Sequence, residues 1–179
     1  MKTYIALLRG INVGGKKKVL MAELRDLLTE LRLKNVRTYI QSGNIIFNAE
    51  DQATFKLEDK ISKGMQLHFG FDVPVLVKTH QELQQIFNAC PFSEEKKQKS
   101  YFSLLYGIPD ETLMADISKI DYQNEVVAIT QNCVYLYSAV GYGKTKFNNN
   151  FFERKLKVMA TARNYKTMLK LLELASEYN

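Results

Sequence analysis

The chain of 179 residues has no tryptophan, three prolines, two cysteines and two histidines. With only Cys90 and Cys133, far apart and outside any Cys-x-x-Cys spacing, a disulfide scaffold and a cysteine zinc site are both excluded. A reducing, cytoplasmic setting is the expectation. His68 and His80 have no second histidine or carboxylate at metal spacing, so no metal site and no cofactor are expected. No apolar run approaches the ~18 residues of a membrane span. The apolar residues 4–8 follow Lys2 as in a secretory leader, but Arg9 ends them too early for its hydrophobic segment. What remains is 46% hydrophobic and 25% charged, the balance of an ordinary globular protein.

Charge is unevenly spread. The net charge is +6, yet residues 9–37 carry eight bases against three acids, and residues 144–170 carry eight bases against Glu153 alone. The rest of the chain is net acidic. Concentrated like charge repels itself unless a counter-charge relieves it, so an anionic partner is implied.

Hydrophobic periodicity sets the order of elements. Residues 3–8 read as a buried strand, and Met21, Leu24, Leu27, Leu28 and Leu31 recur at helical spacing. Residues 36–40 and 44–47 are two strands about the turn Gln41-Ser42-Gly43; Leu57, Ile61 and Met65 mark a second helix, and residues 73–77 a further strand. Strand, helix, strand, strand, helix, strand is the split βαβ, ferredoxin-like order. A short helix before Pro91 and a polar connector at 93–99 follow, and the order then restarts. Residues 101–106, 125–129 and 134–137 read as strands, and 109–120, 148–158 and 165–174 as helices, an extra helix standing where the last strand belongs. The fold class expected is α+β, with two ferredoxin-like subdomains packed together, residues 1–90 and 91–179, the second with an extra C-terminal helix.

Residues 10–16 carry the glycine and lysine spacing of a phosphate-binding loop, after a strand and ahead of a helix. Lys17 stands where that loop needs serine or threonine for magnesium, and the helix begins late, near Met21, so a nucleotide hydrolase is not expected. Glycine amides beside Arg9 and residues 16–18 still suit an anion. Residues 141–146 have similar character, again after a strand and before a helix. Tyr101, Phe102, Tyr106, Tyr135 and Tyr137 put rings on strands that could stack bases, though no RNA-recognition signature surrounds them. Ser42 lacks the glycines of a nucleophile elbow, and its expected role is a turn hydrogen bond.

Three blocks, YIALLRGINVGG at 4–15, KVLMAEL at 18–24 and TYIQSGN at 38–44, resemble the bacterial domain of unknown function 1697 family, as does TARN at 161–164. The resemblance implies paired ferredoxin-like subdomains and assigns no reaction. It points to the polar residues of those blocks: Arg9, Asn12, Lys16, Gln41, Ser42, Asn44, Arg163 and Asn164.

The expectation is a pocket for an anionic, phosphate-bearing small ligand between the Gly-rich loop, the 41–44 turn and the C-terminal basic segment. Its residues are Arg9, Asn12, Gly14, Gly15, Lys16, Gln41, Ser42, Asn44, Lys144, Arg163 and Asn164. Any catalysis would be metal-independent group transfer. The alternatives are a nucleic-acid-binding module, with affinity falling steeply in salt, and a structural or oligomerising protein without catalysis.

Overall fold

The apolar residues 4–8 form the second strand in from the edge of a sheet. In the computed structural model, which describes residues 1–178, the first half runs β1 (Lys2–Leu8), α1 (Met21–Glu30), β2 (Lys34–Tyr39), β3 (Asn44–Ala49), α2 (Thr54–Phe69) and β4 (Val75–Thr79). Then come α3 (His80–Asn88), the single turn α4 (Glu94–Lys97), β5 (Ser100–Leu105), α5 (Glu111–Ser118), β6 (Glu125–Ile129) and β7 (Cys133–Ser138). A 3-10 turn (Tyr142–Lys144), α6 (Asn149–Leu156), β8 (Ala160–Asn164) and α7 (Tyr165–Ser176) complete it. The sheets are four-stranded and antiparallel, in the orders β2-β3-β1-β4 and β6-β7-β5-β8. Each is βαββαβ, so the fold is α+β with two ferredoxin-like halves. No helix among the described residues is long and apolar enough to cross a membrane.

Contacts gather the chain into two compact units, Met1–Gln84 with the tail from Lys170, and Gln85–Leu169. In the first, Tyr4, Ala6 and Leu8 of β1 join Ile45 and Phe47 of β3 and Val75 and Val77 of β4 beneath Leu24 and Leu28 of α1 and Leu57, Ile61 and Met65 of α2. Ile5 and Leu7 are also fully buried, so β1 is apolar throughout rather than alternating. Burial of each such side chain contributes about 1.5–3 kcal/mol. The two helices approach closely at Gly64, where a Cβ would meet Leu31 Cδ1 at 2.7 Å. In the second unit Leu105, Val134 and Leu136 of the sheet pack with Ile117 of α5 and Phe152 and Leu156 of α6.

One expectation is corrected. A last strand, β8, is present ahead of the C-terminal helix, paired with β5 from Leu105↔Ala160 to Tyr101↔Asn164. Its sequence Ala-Thr-Ala-Arg-Asn has no strong apolar alternation; its strand character comes from the ladder, not from its own residues.

Candidate functional site

The Gly-rich segment does not run into a helix N-terminus as in nucleotide hydrolases but folds into a small hairpin. Asn12 N–H donates to Lys17 O, Lys16 N–H donates to Val13 O, and Val13 and Lys16 form an antiparallel bridge. Gly14 and Gly15, at φ 57° and 73°, occupy the centre of the turn, where both residues must be left-handed to match the twist of the arms. The glycine spacing is therefore that of a hairpin turn, and α1 starts only at Met21. No hydrogen bond within the hairpin uses the N–H of Gly14 or Gly15, and both residues are exposed at its tip.

Asn12 ties this hairpin to the turn between β2 and β3. At φ 55°, it accepts from Val19 N–H at 2.8 Å and donates through Nδ2 to Val19 O and to Gln41 O, each at 2.9 Å. Segments 29 residues apart are thereby joined by one amide. In the second segment, buried Asn44 donates to Tyr39 O at 3.1 Å and Ser42 Oγ at 2.9 Å, so Ser42 has the turn hydrogen bond expected of it. Gly43, at φ 77°, accepts from Leu8 N–H at 2.8 Å, and Arg9 N–H donates to Pro74 O at 3.0 Å. Arg9, Asn12, Gly14, Gly15, Lys16, Gln41, Ser42 and Asn44 thus share one end of the first sheet.

Two features here escaped sequence reading. Ile40 is β-branched yet has φ 50°, with half of its surface exposed; such residues are outliers in the left-handed region. Lys17, at φ 47°, lies over the Phe71 ring and donates to Asp72 O, so it props the hairpin rather than reaching outward. Lys16 and Lys18 are exposed. The only sequence signal was the density of glycine and asparagine around positions whose neighbours are not turn formers.

The remaining candidates belong to the second unit. Lys144 ends the 3-10 turn after Gly141 (φ 84°) and, with Lys146, lines a cleft of about 270 Å³ beside Asp121 and Glu125. The 141–146 loop follows β7, whose counterpart in the first half is β3, so it is not the structural equivalent of the hairpin loop that follows β1. Arg163, on β8, is only 7% exposed and donates to Thr161 Oγ1 at 2.9 Å and Ala162 O at 2.8 Å. Burial pulls its guanidinium down to about 10, with the Tyr106 hydroxyl acting the other way. Asn164 Oδ1 accepts from Thr167 N–H at 2.8 Å, a cap on α7.

Other reactive groups are committed to packing. Cys90 and Cys133 are buried and their thiols are pushed up by desolvation. Phe102 and Tyr135 are fully buried, with the Tyr135 hydroxyl donating to Ile86 O at 2.8 Å, so neither ring is open to a base. His68 faces Glu23 at 2.9 Å. Among the described residues no cluster of three His, Cys, Asp or Glu could hold a metal ion.

Comparison with solved structures finds the conserved bacterial protein SP0830 from Streptococcus pneumoniae. It is 28% identical, with a TM-score of 0.78, over 97% of this chain and 98% of that one. No curated protein matches. The family model described as protein of unknown function (DUF1697) matches residues 1–135, and that span contains the hairpin, the 41–44 turn and the whole first sheet. By that match over three quarters of its length, the chain belongs to the DUF1697 family.

Proposed function

We propose that the N-terminal unit binds an anionic, phosphate-bearing small molecule against the tip of the 12–17 hairpin and the adjoining turn. The single observation carrying this reading is a concentration of left-handed backbone. Among the described residues thirteen have positive φ, and seven of them (Gly10, Asn12, Gly14, Gly15, Lys17, Ile40 and Gly43) lie in these two loops. Such conformations cost of order 1–3 kcal/mol each for residues bearing a Cβ, and collect where a binding or catalytic geometry is held against that cost.

The roles follow from the contacts. Asn12 and Asn44 have their amides engaged in the loops, so they hold the backbone rather than touch the ligand. The N–H groups of Gly14 and Gly15, the Lys16 ammonium and the Arg9 guanidinium supply the donors and positive charge, and Gln41 and Ser42 add polar side chains at the rim. Lys144, Arg163 and Asn164 belong to the other unit.

Titration of the 15N-labelled full chain with inorganic phosphate and then with a panel of sugar phosphates and nucleotides tests it. Saturable shifts of the Gly14 and Gly15 amide signals, lost in Lys16→Gln, are the expected result. Signals that stay still with every compound, or move identically in Lys16→Gln, would reject the reading.

A further inference from the structure

At the opposite end of the same sheet lies a cleft of about 550 Å³, within the ~300–1,000 Å³ range of small-molecule sites. It sits between the connection from α1 to β2, which contributes Arg32 and Leu33 with Lys34 at the start of β2, and the connection from β3 to α2, which contributes Glu50 and Gln52, with Lys60 of α2 closing the wall. From Asn44 to Ala49 at ~3.3 Å per residue, it is roughly 17 Å along β3 from the hairpin end. Arg32, Lys34 and Lys60 are exposed, and none has an ion-pair or side-chain hydrogen-bond partner among the described residues. Three uncompensated cations face one carboxylate.

Arg32 occupies a position that chemistry would otherwise give to glycine. Helix α1 ends with Arg32 N–H donating to Thr29 O and Leu33 N–H donating to Leu28 O, the paired bonds of a Schellman close, and Arg32 has φ 61°. Glycine is the default residue there because a Cβ is strained in that region. A cation can serve the helix dipole from the last turn without strain, yet the last turn of α1 holds no basic residue. The walls are fixed from behind. Asn35 Nδ2 donates to Asn48 Oδ1, whose own amide donates to Thr3 Oγ1, and the buried Tyr4 hydroxyl accepts from Gln52 N–H and donates to Gln52 O.

The repeated fold supplies a comparison. In the second half the same two connections, α5 to β6 and β7 to α6, border the cleft of about 270 Å³, where Lys144 and Lys146 are balanced by Asp121 and Glu125. The topology places a cleft there in both halves, and only the first is strongly cationic. Concave shape is thus a property of the fold, whereas the charge belongs to this sequence.

We infer that the Arg32–Lys34–Lys60 cleft is a second anion site, independent of the hairpin, for a phosphorylated polyol bearing at least two negative charges. The guanidinium and two ammonium groups hold the phosphates. Glu50 and Gln52 accept and donate hydrogen bonds to hydroxyl groups. None of the lining residues is aromatic, so a nucleobase would find no ring to stack on and a nucleotide gains nothing over a sugar phosphate.

The test is calorimetric titration of the full chain carrying Lys16→Gln, which disables the hairpin site, with a hexose bisphosphate and with inorganic pyrophosphate, alone and combined with Arg32→Gly or Lys60→Gln. Saturable binding of the bisphosphate is expected in this Lys16→Gln background, weakened about tenfold or more by adding Arg32→Gly or Lys60→Gln. The melting temperature of Arg32→Gly should equal or exceed that of the parent, because glycine relieves the left-handed strain. Absence of saturable binding, or binding that survives both cleft substitutions, overturns the site. Binding present in the parent chain and absent in Lys16→Gln assigns the anion to the hairpin and overturns the second site. A lower melting temperature for Arg32→Gly with Lys60→Gln still binding makes the arginine a helix cap and overturns the proposal. Tighter binding of pyrophosphate than of the bisphosphate overturns the polyol class.

Discussion

One methyl group at Gly43 should disrupt the junction between the hairpin and the sheet more than a methyl group on the hairpin itself. A Cβ at Gly43 would stand 2.5 Å from Leu8 Cβ, 3.0 Å from Ile11 Cδ1 and 3.1 Å from Leu8 Cγ. Leu8 Cβ is bonded directly to the backbone of β1, and Leu8 N–H donates to Gly43 O, so neither partner can swing away without breaking the other contact. Gly43 also has φ 77°, which costs an alanine roughly 1 kcal/mol. Overpacking in a tight core adds about 1–3 kcal/mol. The total for Gly43→Ala is therefore about 2–4 kcal/mol. Gly15→Ala is the matched control: φ is 73°, but nothing lies within 4 Å of its added Cβ, so only the conformational cost of roughly 1 kcal/mol applies. Urea unfolding followed by circular dichroism at neutral pH measures both. Should Gly43→Ala prove no more destabilising than Gly15→Ala, the close approach of β1 to the 40–43 turn, and the account of why glycine stands there, are refuted.

Asn12→Ala removes two donated hydrogen bonds and one accepted, leaving Val19 N–H and Gln41 O without it; a loss of about 2–3 kcal/mol is expected, with amide hydrogen exchange accelerated at 12–19 ahead of the β1 core. The Tyr122 hydroxyl is pushed up to about 12 by burial, so the folded state favours its neutral form. That stabilisation is fully present below the unfolded tyrosine value of about 10 and is lost as pH rises through 12. Tyr122→Phe should accordingly lose about 1 kcal/mol at pH near 8, from its bond to Ile117 O, yet show a shallower decline in urea midpoint between about pH 10 and 12. The buried Ser138 hydroxyl has no partner among the described residues, so Ser138→Ala should leave the melting temperature unchanged or raise it, by up to about 1 kcal/mol of stability.

The elements were legible because their signals are local. Residues 21–31 place Leu24, Leu27 and Leu28 on one helical face, and β6 at Glu125–Ile129 has the bounds its apolar run suggests. Repeating strand, helix, strand, strand, helix is enough to specify two antiparallel sheets, since connections in so short an order leave few topologies. Where local signals are weak the reading failed: Ala160–Asn164 is a strand only because β5 offers it a ladder.

The candidate site was legible as a list of residues and not as an arrangement. Asn12, Gln41 and Asn44 are polar residues in loops, and their alphabet marks them. That Asn12 spends its amide on Val19 and Gln41 depends on contacts across 29 residues, which no periodicity encodes. Glycine spacing at 10–16 fits a phosphate loop and a hairpin turn equally well in one dimension; the delayed start of α1 leaves room for arms that pair, and pairing selected the hairpin. Likewise Arg32 reads as one more base in a cationic segment. Only the three-dimensional close of α1 sets it in a left-handed position beside Lys34 and Lys60, where like charges from separate elements face one cleft. Composition and local pattern thus determined the elements and their order, and tertiary contact decided which side chains brace loops and which stay exposed, because hydrogen-bond partners distant in sequence are chosen by folding.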